Sequence, residues 1–313
     1  MTNVKRVQNK VAESVYTLPV VALCSIGIWL MVGLLHRQLW VQFGCFVLTV
    51  FMILTINKAN ALIRIYSRSV AVSFIVLSCT ACFMFPSLYE GICELCLTFS
   101  LLVLFMTYDD KQSPGITFYG FLLLGIASLF LIRVLWYIPY FWLLMGFFVY
   151  SFSWRTFLAS ILGLICPYWF AAAWVLWHEE GNFGPLGIHL RQIADIQPTF
   201  FDISLLSLPQ QLSFAFLTLL LLMGTVHFLR KQIDDKIRVR QIYYSFIFLG
   251  IFSILFLLLQ PQHYELPLRM LIIAVSPLIA HFITLTHTRL TNIAFCVIAA
   301  SALILTALNL WML

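Results

Sequence analysis

The sequence predicts an all-α fold: a polytopic transmembrane helical bundle of about eleven spans (10–12), formed by residues 1–313 as a single domain with a cytoplasmic N-terminus. Three observations support this: the composition, the recurrence of apolar segments and the distribution of basic residues. Hydrophobic residues make up 62% of the chain and charged residues 10%, and the mean hydropathy is +1.00. Soluble domains carry about 25% charged residues. Lipid, in contrast to water, accepts apolar side chains on every face of a helix.

Apolar segments of about 20 residues, long enough to cross a bilayer, recur along the whole chain. They are expected at roughly 17–35, 39–57, 69–87, 92–108, 116–132, 134–151, 156–177, 208–229, 242–259, 269–286 and 292–312. The stretch 115–152 is interrupted only by Arg133, and we predict two joined helices there. A single helix of that length would measure about 57 Å, nearly twice the thickness of the hydrocarbon core.

The basic residues support this threading and its orientation. Cytoplasmic loops hold an excess of Lys and Arg. With the N-terminus inside, 14 of the 18 basic residues fall on the cytoplasmic side. These are Lys5, Arg6, Lys10, Lys58, Arg64, Arg68, Lys111, Arg155, Arg230, Lys231, Lys236, Arg238, Arg240 and Arg289. The net charge of +6 is scattered between apolar segments, so the sequence argues against a nucleic-acid partner.

The predicted outer side holds the only long loop, residues 178–207. Seven of the twelve acidic residues fall on this side. Within the loop, Leu186, Leu190 and Ile193 share one side of an expected short amphipathic helix that lies on the membrane surface. Ser207, followed by Gln210, predicts a capping box at the start of the eighth span.

Several segments resemble a family of polytopic inner-membrane proteins from Bacteroidetes that is labelled only as a domain of unknown function. The resemblance rests on Asn60–Arg68 (NALIRIYSR), Phe85-Pro86-Ser87, Ala127–Phe130 (ASLF), Arg155–Trp169 (RTFLASILGLICPYW) and Ser276–Ala280 (SPLIA). These landmarks run from about residue 57 to residue 300 and so cover most of the chain. The resemblance implies an integral, multi-pass inner-membrane location. It carries over no catalytic residue.

Two CxxC motifs form the most distinctive local pattern. Cys79 and Cys82 lie near the predicted outer end of the third span, and Cys93 and Cys96 near that of the fourth. In an antiparallel hairpin the two pairs would lie at equal depth, where they could form disulfides, exchange electrons with a quinone or bind a soft metal. The favoured interpretation is close helix packing, because cysteine is a small and mostly buried residue. No cofactor is expected.

Five arginines are candidates for binding a lipid phosphate. Arg64 and Arg68 share one helix face on the predicted inner side, where Arg155 could join them, and Arg133 and Arg269 lie on the outer side. Guanidinium groups bind phosphate well. The alternative is ordinary anchoring, in which basic side chains extend to the headgroups.

The outer loops hold the candidate catalytic residues. These are His178, Glu179, Glu180, His263 and Glu265. Imidazole and carboxylate groups at a membrane surface could pair as acid and base. The alternative is that they are simply the polar side chains of solvated loops. Ionisable residues are scarce inside the predicted spans, which disfavours a proton-driven carrier.

The sequence therefore predicts a membrane protein engaged in transport, in handling a lipid or lipid-linked substrate, or in scaffolding, within cell-envelope biogenesis. The alternative function is a membrane-embedded transferase or hydrolase that acts on a lipid-linked saccharide or phospholipid at the outer leaflet. An enzyme is the less favoured of the two. The expected partners are the lipid bilayer, a lipid or lipid-linked substrate and other membrane proteins.

Overall fold

The computed structural model describes residues 6–64, 67–178, 184–194 and 201–312. The fold is all-α, with 84% of residues helical and no strand among the described residues. The described ranges contain thirteen α-helices. They are α1 (Val7–Glu13), α2 (Thr17–Val32), α3 (Trp40–Asn60), α4 (Ser69–Thr80), α5 (Leu88–Phe105), α6 (Pro114–Phe130), α7 (Ile138–Leu143), α8 (Trp154–His178), α9 (Gly184–Arg191), α10 (Leu208–Lys231), α11 (Ile237–Leu259), α12 (Glu265–Leu285) and α13 (Arg289–Trp311).

Seven of these helices are long and apolar enough to cross a membrane: α3, α5, α8, α10, α11, α12 and α13. The pair α1 and α2, bent by 89°, would provide an eighth span if both belong to one crossing. Three shorter apolar helices are α4, α6 and the segment Ile132–Phe148. Each of the eleven segments expected from the sequence overlaps one of these helices. The multi-pass helical class is thus confirmed, while the count of about eleven spans and the cytoplasmic N-terminus stay predictions.

The contacts divide the chain into two compact units. The first unit comprises Met1–Leu88 together with Phe201–Leu313, and the second comprises Tyr89–Phe200. The single domain expected over residues 1–313 stays a prediction.

Helix α12 forms the centre of the first unit, where it packs against α4, α10 and α11. Its most apolar stretch is 89% buried, as expected for a helix that is hydrophobic on all faces. The approach of α10 depends on Gly224, because a Cβ at that position would lie 2.9 Å from the Cβ of Leu278 on α12. Small residues at such contacts allow helix backbones to come close together.

The N-terminal helix α1 is held against the end of α12. The Gln8 side-chain amide donates hydrogen bonds to the carbonyl oxygens of Ile283, at 3.0 Å, and Thr286, at 2.6 Å. Asn9 donates to the same Thr286 carbonyl at 3.1 Å. These bonds satisfy carbonyl groups that the end of a helix leaves without an intrahelical partner. They fix α1 beside α4, α12 and α13.

In the second unit, α6 and α8 pack closely through two glycines. A Cβ at Gly125 would lie 2.7 Å from the Leu164 carbonyl oxygen, and one at Gly163 would lie 2.5 Å from the Phe118 carbonyl oxygen. Any larger residue would force the two helices apart. This unit also contains α9, which confirms the expected short helix in the long loop, while its place on a membrane surface stays a prediction.

The expected capping box at the start of α10 is present. The Gln210 side chain accepts a hydrogen bond from the Ser207 backbone N–H at 2.8 Å. This bond satisfies a donor that the first turn of the helix leaves open.

Candidate functional site

A cavity of about 530 Å³ opens in the first unit beside the connection between α3 and α4. Its polar wall holds Asn57, Lys58, Ser67 and Arg68, and its apolar wall includes Leu18 of α2. We call it the basic cavity. The residues that line it include no acidic side chain within the described part of the chain.

Hydrogen bonds hold the described ends of this connection in place. Helix α3 ends where Ala61 adopts a left-handed conformation, with φ of 48°, and turns the chain back. The Asn57 side-chain amide donates to the Ser67 carbonyl at 3.0 Å, which ties the end of α3 to the start of α4. The Ser67 hydroxyl donates in turn to the Ala12 carbonyl of α1 at 2.8 Å. These hydrogen bonds hold the backbone next to Lys58 and Arg68 in place.

Two further cavities lie in the same unit, and shared lining residues relate them to the basic cavity and to each other. A narrow one of about 40 Å³ shares Arg68 with the basic cavity and is also lined by Ser14, Ser69 and Ser73. The last, of about 180 Å³, is almost entirely apolar and lies between α1, α2, α4, α12 and α13. The narrow and apolar cavities share the residues Val11, Thr17, Val72, Ser73, Ile283 and Phe295. We call the three cavities together the amphipathic groove.

The basic cavity has two cations, Lys58 and Arg68. Within the described part of the chain, neither makes an ion pair with a carboxylate. Lys58 is exposed and Arg68 is half-buried. Such a pair attracts an anion, and Arg68 can bind phosphate or carboxylate through two parallel hydrogen bonds.

The prediction that Arg64 and Arg68 share one helix face is wrong, because α3 ends at Asn60 and both arginines lie before α4 begins at Ser69. Arg64 also has different partners. Its Nε donates to Asp235 Oδ1 at 2.7 Å, and its Nη1 lies 3.6 Å from Asp234 Oδ2. The other oxygen of Asp235 accepts from His281 Nε2 of α12 at 3.2 Å. The side chains of Asp235 and His281 are 1% and 0% exposed. We call Arg64, Asp235 and His281 the charge cluster.

Hydrogen bonds within the charge cluster favour the charged forms of Asp235 and Arg64. Burial alone would raise the pKa of Asp235, but the hydrogen bonds from His281 and Arg64 outweigh it, so the pKa lies below its usual value. The hydrogen bond to Asp235 raises the pKa of Arg64. The Tyr243 ring packs edge-on against the His281 imidazole, with ring centroids 5.0 Å apart. The cluster thus ties the α3–α4 connection to the α10–α11 connection and to α12.

The five arginines predicted to bind phosphate lie in different surroundings. Arg68 lines the amphipathic groove, whereas Arg64 is engaged by two aspartates. Arg269 is buried in α12 and donates to the Met84 carbonyl. Arg133 and Arg155 belong to the second unit, where Arg155 is exposed at the start of α8. For all five arginines, a role in phosphate binding stays a prediction.

The predicted catalytic residues are distributed over both units. Glu179 and Glu180 lie outside the described residues, and His178 is the last residue of α8 in the second unit. In the first unit, His263 ends a short 3₁₀ turn and Glu265 begins α12. The Tyr264 hydroxyl donates to Glu265 at 3.3 Å. An acid and base pair among these five residues stays a prediction.

The two CxxC motifs also belong to different units. Cys79 and Cys82 are buried in the first unit, and Cys93 and Cys96 are buried on α5 in the second. All four are thiols, and the Cys93 thiol donates to the Ala127 carbonyl at 3.4 Å. Their burial is what the packing interpretation expects. Among the described residues, no group of three or more His, Cys, Asp or Glu side chains could hold a metal ion.

Sequence reasoning missed three residues of these sites. Lys58 was counted only as a topology signal, and Asp235 and His281 were not singled out as partners. The available signal was a pair of adjacent acids, Asp234 and Asp235, inside an otherwise basic loop. A carboxylate in such a place is often held by a specific cation.

The helices and the groove define the class as a multi-pass α-helical membrane protein. No protein family, curated protein or solved structure matches the chain. The resemblance to the Bacteroidetes family therefore stays a prediction.

Proposed function

We propose that this protein handles a lipid or lipid-linked substrate that it takes up from the surrounding bilayer. The observation that carries this proposal is the amphipathic groove, in which a basic cavity shares Arg68 with a narrow cavity, and the narrow cavity shares six residues with an apolar one. An amphiphile has the same sequence of chemistry, with a polar head followed by an apolar chain. The basic cavity alone falls within the roughly 300–1,000 Å³ typical of small-molecule sites.

The proposal includes the topology expected from the sequence. About eleven spans with a cytoplasmic N-terminus would put Lys58 and Arg68 at the cytoplasmic leaflet, because positive charge is retained on that side. The basic cavity would then lie at headgroup depth and the apolar cavity within the hydrocarbon core. An inner-membrane location and a role in cell-envelope biogenesis belong to the same proposal.

Photocrosslinking in lipid nanodiscs tests the proposal. The full chain is reconstituted with a phospholipid that carries a diazirine on one acyl chain, and labelled peptides are mapped by mass spectrometry. Ala299 lines the apolar cavity, so Ala299→Phe fills it, whereas Ala300→Phe puts the same ring on an exposed face of α13. We expect Ala299→Phe to reduce labelling of α1 and α4 at least five-fold and Ala300→Phe to leave it unchanged. Equal labelling in both variants would refute occupation of the groove by lipid.

A further inference from the structure

We infer that the amphipathic groove selects an amphiphile whose phosphate group is bound by Lys58 and Arg68; this inference rests on the proposed lipid-handling function. The basic cavity would hold the phosphate and its substituent, and the apolar cavity would hold the chain.

The two arginines of the α3–α4 connection differ in their partners. Arg64 is neutralised by Asp235 at 2.7 Å, with Asp234 at 3.6 Å. Arg68 has no such carboxylate within the described part of the chain, and neither has Lys58. Of the three cations, Arg64 is therefore paired within the protein. Arg68 in the connection and Lys58 in the last turn of α3 remain able to bind a ligand. That ligand must be an anion.

Arg68 lines both the basic cavity and the narrow cavity. It is the one residue that the two cavities share, so a ligand that occupies both would pass this arginine. In a lipid phosphate, the anionic group also lies between the headgroup substituent and the apolar part. A fatty-acid carboxylate at this position would leave most of the 530 Å³ basic cavity empty. A phosphate with a further substituent fills the cavity better.

The narrow cavity is where the ester oxygens or the first carbons of a bound chain would lie. The hydroxyl-bearing residues Ser14, Thr17, Ser69 and Ser73 contribute to its wall. Beyond them the wall is apolar, with Ile279, Ile298 and Ala302 in the last cavity. This order of phosphate, hydroxyl contacts and apolar wall matches one chain of a phospholipid or a polyprenyl phosphate.

Binding measurements with purified full-length protein in detergent test the inference. Native mass spectrometry compares phosphatidylglycerol with a diacylglycerol of the same chains, which lacks the phosphate. Each cation near a phosphate should contribute about five-fold in affinity, so the pair should contribute about 25-fold. We expect Lys58→Gln/Arg68→Gln to lose that factor for phosphatidylglycerol only. The matched control, Lys231→Gln/Arg230→Gln, removes two cations at the end of α10 and should change neither affinity.

A conservative variant keeps the test valid if the double variant fails to fold. Arg68→Lys retains the charge and should bind phosphatidylglycerol within about two-fold of the wild type, whereas Arg68→Gln should bind it about five-fold more weakly. Equal affinity of the wild type for both lipids would overturn the phosphate assignment while leaving groove occupation, read separately by crosslinking, intact. Absence of crosslinks in the groove would overturn both.

Two further ligands distinguish the sources of the phosphate. A polyprenyl phosphate that binds more tightly than phosphatidylglycerol would identify a single-chain carrier, and the reverse order would identify a membrane phospholipid. Either result supports the inference. Inorganic phosphate that binds as tightly as both lipids would overturn it, because the apolar cavity would then contribute nothing.

Discussion

Substitution of Asp235 by Asn should destabilise the first unit far more than the same substitution at Asp234. Asp235 accepts hydrogen bonds from Arg64 and His281 with a side chain that is 1% exposed. Removing one partner of a buried ion pair costs about 3–5 kcal/mol. The Arg64 side chain is 39% exposed, so solvent screens its share, and we expect a loss near the lower limit, about 3 kcal/mol.

Asp234→Asn is the matched control. The Asp234 side chain is 60% exposed and lies 3.6 Å from Arg64. Exposed pairs contribute about 0–1 kcal/mol, so this variant should unfold almost like the wild type. Both variants lose the same formal charge from the same loop, which removes net charge as an explanation of any difference.

Unfolding by sodium dodecyl sulfate in mixed micelles gives the comparison, with helix content followed by circular dichroism. The difference in free energy of unfolding between Asp235→Asn and Asp234→Asn should be at least about 2 kcal/mol. A difference below about 1 kcal/mol would show that the charge cluster does not hold the three segments together.

The remaining predictions concern acid, helix packing and topology. The pKa of Asp235 is lowered by folding, so its contribution to stability is complete above its usual value near 4 and is lost as the pH falls through the lower folded value. The wild type should therefore lose more stability in acid than Asp235→Asn, and parallel pH profiles would contradict this. Gly125→Ala should cost about 1–3 kcal/mol because its Cβ meets α8. Gly115→Ala on the same helix meets nothing within 4 Å and should be neutral, so equal losses would contradict the packing. Epitope tags after residues 112 and 233 should face the same side as the N-terminus. A tag that is accessible only from the side opposite to the N-terminus would refute the predicted order of spans.

Much of the secondary structure could be predicted because lipid makes helix formation a local requirement. A backbone inside a bilayer must satisfy its hydrogen bonds within its own helix, so each apolar segment determines its own structure. The eleven expected segments were predictable for this reason. The capping box at Ser207 was predictable because it depends only on two residues three positions apart. The short polar helix α1 was not, because its hydrogen bonds to the end of α12 come from residues more than 270 positions away.

The candidate site was predictable only in part. Arg68 could be singled out because a basic residue between two spans is a common headgroup ligand. The ion pair of Arg64 could not be predicted, since its partner Asp235 lies 171 positions away in the sequence. The groove itself is lined by residues of α1, α2, α3, α4, α12 and α13, whose neighbours in space are distant in sequence.

The sequence by itself determined the class of membrane protein, the positions of most of its helices and the excess of basic residues between particular spans. Tertiary structure alone decided which arginine is paired with aspartate, which cations line a cavity, and where the helices leave a groove. The reason is physical: a helix that is apolar on all faces does not specify its own rotation. That rotation is set by packing against helices from remote parts of the chain.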